Sequence, residues 1–167
     1  MARLKNIENK LLLELILYPD PDSYDWITYE IIIRSASEDG KILLSLTSPD
    51  DTLYFDAYYE PEIPKLCSGI VDVVNGEKLH FFFEPADEKD FQFKIEKSKN
   101  ELFINIYSDD FTILENYKWD YKSYLGIKMH VKKDDIFDFV KQLKAEYEQI
   151  ESKFPGKTFL PKSKKNI

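Results

Sequence analysis

The side chains best suited to catalysis are few and far apart in this chain. One cysteine, Cys67, and two histidines, His80 and His130, are spread over 167 residues. Pairing Cys67 with either histidine for nucleophilic work is geometrically open, but no motif supports it. A structural zinc site takes about four nitrogen or sulfur ligands, and the whole sequence offers three candidates. The glycines, at 40, 69, 76, 126 and 156, never cluster into a phosphate-cradling loop, and no G-x-S-x-G elbow occurs. Cys67 therefore reads as a small apolar residue of a helix core, and both histidines read as strand residues.

Carboxylates are abundant, and their spacing fits turns better than chemistry. Asp20, Asp22 and Asp25 occupy positions 1, 3 and 6 of a loop, but the glycine and terminal glutamate of a calcium loop are missing. Asp50-Asp51, Asp109-Asp110 and Asp134-Asp135 are sequence neighbours. Neighbours on a strand face opposite sides, so none makes a glycosidase pair; turn residues and helix caps account for them. No catalytic residue, cofactor or metal ligand is expected, and the chain reads as not an enzyme.

More distinctive are rings beside carboxylates in the connections, at Tyr54-Phe55-Asp56-Ala57-Tyr58-Tyr59-Glu60 and Tyr117-Lys118-Trp119-Asp120-Tyr121. Such rings either fold back over the sheet edges or anchor a partner, since Tyr and Trp dominate binding hot spots. In the second case the partner contacts are Asp20, Asp22, Asp25, Asp50, Asp51, Asp56, Glu60, Asp109 and Asp110. Tyr58, Tyr59 and Trp119 are then the anchors.

Charge narrows the partner. The chain has 31 acidic and 23 basic residues, a net −8, with 21 Lys to 2 Arg. Phosphate neutralisation needs clustered cations, so nucleic acid and anionic membranes are disfavoured as partners. Residues 153–167 hold five lysines and no acid and read as an extended basic tail. What remains, Met1–Ser152, has 18 basic and 31 acidic residues, a net −13, and reads as one domain. A surface of that sign suits a basic protein partner and speeds encounter with it. A single cysteine allows no internal disulfide. The apolar stretch Leu11–Tyr18 is short and broken by Glu14, unlike a signal or a span. These features point to a cytoplasmic protein with no membrane role.

The elements that must position these residues follow from hydrophobic period. Alternation predicts strands over Lys10–Tyr18, Trp26–Arg34, Lys41–Thr47, Lys78–Glu84, Asp90–Glu96, Leu102–Tyr107 and Tyr124–Lys132. Ile63, Leu66, Cys67, Ile70, Val73 and Val74 recur at helical spacing, and Asn75-Gly76 follows as a left-handed C-terminal cap. Gly69 inside this helix costs it about 1 kcal/mol relative to Ala. Asp134-Asp135 opens a longer helix with the stripe Ile136, Phe139, Val140, Leu143, Tyr147 and Ile150, ended by Pro155-Gly156. No repeat at solenoid spacing is present. The sum is an α+β domain: a mainly antiparallel sheet of about seven strands with two helices, the longer one C-terminal.

The order of these features resembles the WapI-type immunity proteins, small bacterial cytoplasmic partners of polymorphic, contact-dependent toxins. The resemblance is carried by Leu11-Leu12-Leu13-Glu14-Leu15, the Pro19–Asp22 turn and Asp25-Trp26-Ile27 leading into an Ile-rich strand. It continues through the helix at Ile63–Val74, Phe83-Glu84-Pro85 and Phe91-Gln92-Phe93-Lys94-Ile95, and closes with the C-terminal helix running into Phe154-Pro155. Leu53–Tyr59 departs from it, being aromatic where that family has a smaller, tryptophan-bearing pattern. The resemblance implies a non-enzymatic inhibitor that neutralises a cognate toxin by masking its active or substrate-binding surface. It carries over no catalytic residue. Two other readings stay open: a small-molecule binder or enzyme with a pocket near the sheet, and an interaction module or subunit of a larger assembly.

Overall fold

The computed structural model describes residues 1–19, 27–36, 40–47, 62–83, 91–108 and 126–153. The elements run β1 (Ala2–Lys5), β2 (Leu11–Pro19), β3 (Ile27–Ser35), β4 (Ile42–Thr47), α1 (Glu62–Val74), β5 (His80–Phe83), β6 (Phe91–Ser98), β7 (Glu101–Ser108), β8 (Gly126–Val131) and α2 (Lys133–Ser152). The fold is α+β, mainly antiparallel sheet, with the longer helix at the C-terminus. All seven expected strands and both helices are present. The structure adds an eighth strand and divides the sheet into two four-stranded meanders, β1-β2-β3-β4 and β5-β6-β7-β8.

The added strand, β1, is four residues long, too short for a hydrophobic period to register. It alternates all the same: Ala2 and Leu4 are buried, Arg3 and Lys5 exposed. Its register on β2 sets Leu4 opposite Leu13 and Arg3 opposite Glu14.

With β1 counted, the chain is the same unit twice, a four-strand meander followed by a helix. The strands of the two units are 4, 9, 9, 6 and 4, 8, 8, 6 residues long. Each helix packs on the sheet of the other unit: α1 lies against β5 and β6, α2 against β1 and β2, and the helices touch each other. Residue identities do not repeat; β2 reads LLLELILYP where β6 reads FQFKIEKS.

A single apolar cluster fills the interior. From the first sheet come Leu11, Leu13, Leu15, Leu17, Ile27, Tyr29, Ile31 and Ile33; from the second, Phe93, Ile95, Ile104, Ile106, Ile127 and Met129. The helices add Leu66, Cys67, Ile70, Val73, Ile136, Phe139 and Leu143. Cys67 is thus the core residue its spacing implied.

The sheets also meet through the β1–β2 turn. The buried Asn6 accepts from the Lys10 and Leu11 N–H groups at 2.8 and 3.0 Å through its Oδ1, an Asx-type closure. The Ile7 N–H donates to the His130 carbonyl at 2.8 Å, tying this turn to edge strand β8.

Helix ends follow local chemistry. Gly76 takes φ +79°. Its N–H donates to the Val73 carbonyl at 3.1 Å, and the Glu77 N–H donates to that of Asp72 at 2.9 Å, the Schellman pattern. At the start of α2, Asp134 and Asp135 lie inside the first turn, and the capping residue Lys132 gives no side-chain hydrogen bond. They favour the helix through its macrodipole rather than as caps, which corrects half of their expected role. The helix ends at Ser152, ahead of Pro155-Gly156, which lie outside the described residues together with the rest of the 154–167 tail.

Gly69 has a reason only the structure supplies. A Cβ built there would stand 2.4–2.5 Å from three ring atoms of Phe81 on β5, so the missing side chain is the seat of that ring. One of the three is Cγ, held close to the strand backbone, so the ring cannot simply swing aside. Gly69→Ala gains about 1 kcal/mol of helix propensity but overpacks the site at about 1–3 kcal/mol. Net destabilisation is expected, seen as a lowered midpoint in urea denaturation; a raised midpoint would refute the seat.

Candidate functional site

The twelve residues expected to contact a partner all lie outside the described residues: Asp20, Asp22, Asp25, Asp50, Asp51, Asp56, Tyr58, Tyr59, Glu60, Asp109, Asp110 and Trp119. The described strands nevertheless fix where their segments leave the fold. In the first sheet Pro19 pairs with Ile27, and Glu30 with Thr47, so segments 20–26 and 48–61 depart from one end. In the second sheet Phe83 pairs with Phe93, and Tyr107 with Gly126, so 84–90 and 109–125 also share an end. In both sheets that end is opposite the one joined by the Ile7–His130 hydrogen bond.

Acid is concentrated in these connections. Segments 20–26, 37–39, 48–61, 84–90 and 109–125 hold 17 of the 31 acidic residues and 3 of the 23 basic ones. They also hold 11 of the 25 Phe, Tyr and Trp residues.

The chain's two arginines are absorbed by the fold. On the outer face of the first sheet the Glu14 carboxylate, 4% exposed as a residue, accepts from Arg34 Nε at 2.5 Å and from Arg3 Nε at 3.2 Å. The cross-strand register that sets Arg3 beside Glu14 makes this clamp, with Arg34 reaching in from β3. Beside it, Glu30 accepts from the Tyr18 and Ser45 hydroxyls at 3.1 and 2.9 Å. These groups stabilise the sheet.

The outer face of the second sheet has a different character. Register lays Phe82, Lys94, Asn105 and Lys128 in one row across its four strands, and His80, Glu96, Phe103 and His130 in the next. His130 stacks on Phe103 with centroids 4.8 Å apart, and Lys128 Nζ lies 4.7 Å from the centre of that ring. Lys94 Nζ is 5.4 Å from the centre of Phe82, whose edge meets His80. Lys94 also pairs with Glu96 at 3.0 Å, and Asn105 Nδ2 donates to Glu96 at 2.9 Å. Partial burial opposes ionisation of Glu96, yet the hydrogen bonds from Lys94 and Asn105 and the charges of Lys94 and Lys128 outweigh it. They hold its carboxyl below the ordinary range. The other amide atom, Asn105 Oδ1, is buried and accepts no hydrogen bond among the described residues.

His130 Nε2 stands 3.8 Å from Glu101 Oε1, at the rim of this face. Sequence reasoning placed both histidines on strands but could not bring them to one face with Phe82, Phe103 and two lysines. Only the register does that. The usable signal was the lysines and rings alternating with apolar residues in 91–108 and 126–131.

Burial pushes the Cys67 thiol up to about 11, against a weak opposing pull from the Lys144 charge. The thiol form is therefore favoured at neutral pH. Among the described residues, no group of three or more His, Cys, Asp or Glu side chains is placed to hold a metal ion. No helix among them is long and apolar enough to cross a membrane. Comparison of the chain with protein-family models, curated proteins and solved structures gives no match.

Two measurements probe these polar clusters. Arg34→Met leaves the buried Glu14 carboxylate half-paired and should cost about 2–3 kcal/mol, below the 3–5 of a fully buried pair because Arg34 is partly exposed. Glu14→Leu should cost less, since the arginines then turn to water; the reverse order in denaturation midpoints would disprove the clamp. For Glu96 the folded carboxyl titrates lower than the unfolded one, so its stabilisation is present above the unfolded pKa and is lost as pH falls through the folded one. Glu96→Gln should therefore flatten the acid limb of the stability–pH curve, and an unaltered limb would count against the network.

Proposed function

We propose that the chain is a non-enzymatic protein-binding protein, an immunity protein that neutralises a cognate bacterial toxin by masking a basic active or substrate-binding surface. One observation carries this reading: acid and aromatic rings are concentrated in the connections, which leave each sheet mainly from a single end. Carboxylates around large rings suit a basic partner, the rings providing area and the charges steering encounter. The resemblance to WapI-type immunity proteins supplies the partner class, and a cytoplasmic location follows from it.

The direct test is co-expression with the toxin domain encoded beside the gene. Rescue of growth supports the reading, and survival no better than with toxin alone refutes it. Within the complex, Asp109→Lys with Asp110→Lys should lower the association rate about tenfold or more at low salt, with the difference shrinking as salt rises. Stability should shift by no more than about 0.5 kcal/mol, as for ordinary surface changes. An association rate equal to wild type at low salt would remove these two positions from the interface.

A second reading, of small-molecule binding at the sheet, is favoured by the outer face of β5–β8, where histidine, carboxylate, lysine and ring converge.

A further inference from the structure

The outer face of the second sheet combines three features that the packing of the fold does not need. Phe82 is 43% exposed. Two lysines sit in a single cross-strand row in an otherwise acidic chain. Between them, Asn105 is 1% exposed with an acceptor that meets no donor among the described residues. Buried polar atoms are nearly always paired, because an unpaired one loses its hydration without return. The first sheet shows the alternative: its buried carboxylate, Glu14 on β2, accepts from both Arg3 and Arg34.

We propose that this face binds a flat-ringed, hydroxyl-bearing anion of the nucleoside-diphosphate kind. The row dictates the order of its parts. The ring lies on Phe82, over which the Lys94 ammonium stands 5.4 Å from the ring centre. A sugar hydroxyl donates to Asn105 Oδ1. The diphosphate reaches Lys128, which has no carboxylate within ion-pair distance among the described residues. Glu96 does not repel this anion strongly, since its charge is already matched by Lys94 and by Asn105 Nδ2.

Four strands at about 4.8 Å spacing give a row roughly 14 Å long, room for one ring and one anionic group. A polynucleotide would run past it. One end of this sheet leads into 84–90 and 109–125, which hold eight acidic residues and three lysines, a composition unlike that of a polyanion binder.

The test is titration of the full chain with adenosine diphosphate, adenosine, pyrophosphate and a twelve-nucleotide oligothymidylate, followed by backbone amide NMR shifts and calorimetry. Saturable shifts with adenosine diphosphate, centred on Phe82, Lys94, Asn105 and Lys128, are expected. Adenosine and pyrophosphate should each bind at least about tenfold more weakly, since each makes only part of the contacts. Phe82→Leu, Asn105→Asp and Lys128→Gln should each weaken adenosine diphosphate about tenfold or more. The wild-type shift map decides the matter should any variant fail to fold. Absence of shifts at millimolar adenosine diphosphate, shifts centred elsewhere, or pyrophosphate binding as well as the diphosphate would each overturn the proposal. Tighter binding of the oligothymidylate with a steep salt dependence would replace it with a single-strand binder.

Discussion

Neither sheet is covered by the helix that ends its own unit, and the rest of the fold depends on that exchange. A four-stranded meander has one apolar face that must be removed from water. α2 packs on β1 and β2 of the first sheet, and α1 on β5 and β6 of the second. The core is therefore common property of both units. Gly69 shows how close the fit is: the helix of the first unit approaches the second sheet until the Phe81 ring rests on its backbone.

The outer faces of the two sheets differ in chemistry. On the first sheet the central carboxylate is buried and matched by the only two arginines, so the face is closed electrostatically. On the second, lysines stand over rings, and one amide oxygen stays unmatched. The same architecture thus yields a face committed to stability and a face with binding chemistry left over. Segments 20–26, 48–61, 84–90 and 109–125, rich in carboxylates, leave the sheet ends remote from the junction at Ile7 and His130.

Much of the secondary structure was readable because the apolar residues keep strict period. Leu11, Leu13, Leu15 and Leu17 alternate without interruption, and the Ile63–Val74 stripe gave α1 both of its ends. What escaped had physical reasons. β1 is a strand because β2 and α2 lie beside it, not because four residues prefer to be one. Asp134 and Asp135 looked like caps, yet the helix begins one residue before them. The repetition of the units is invisible in residue identities because burial demands only that a position be apolar, so Leu in one unit answers Phe in the other.

Composition and spacing alone determined an acidic chain with no assembled catalytic motif, an α+β order of elements, a core cysteine and connections rich in carboxylates and rings. These are properties of local periodicity and of residue counts, which need no partner in space. Tertiary structure decided that there are two sheets, that the helices are exchanged, that both arginines serve Glu14, and that Phe82, Lys94, Asn105 and Lys128 stand in one row. Each of these depends on register between strands far apart in sequence, and register is set by how the shared core closes rather than by any segment on its own.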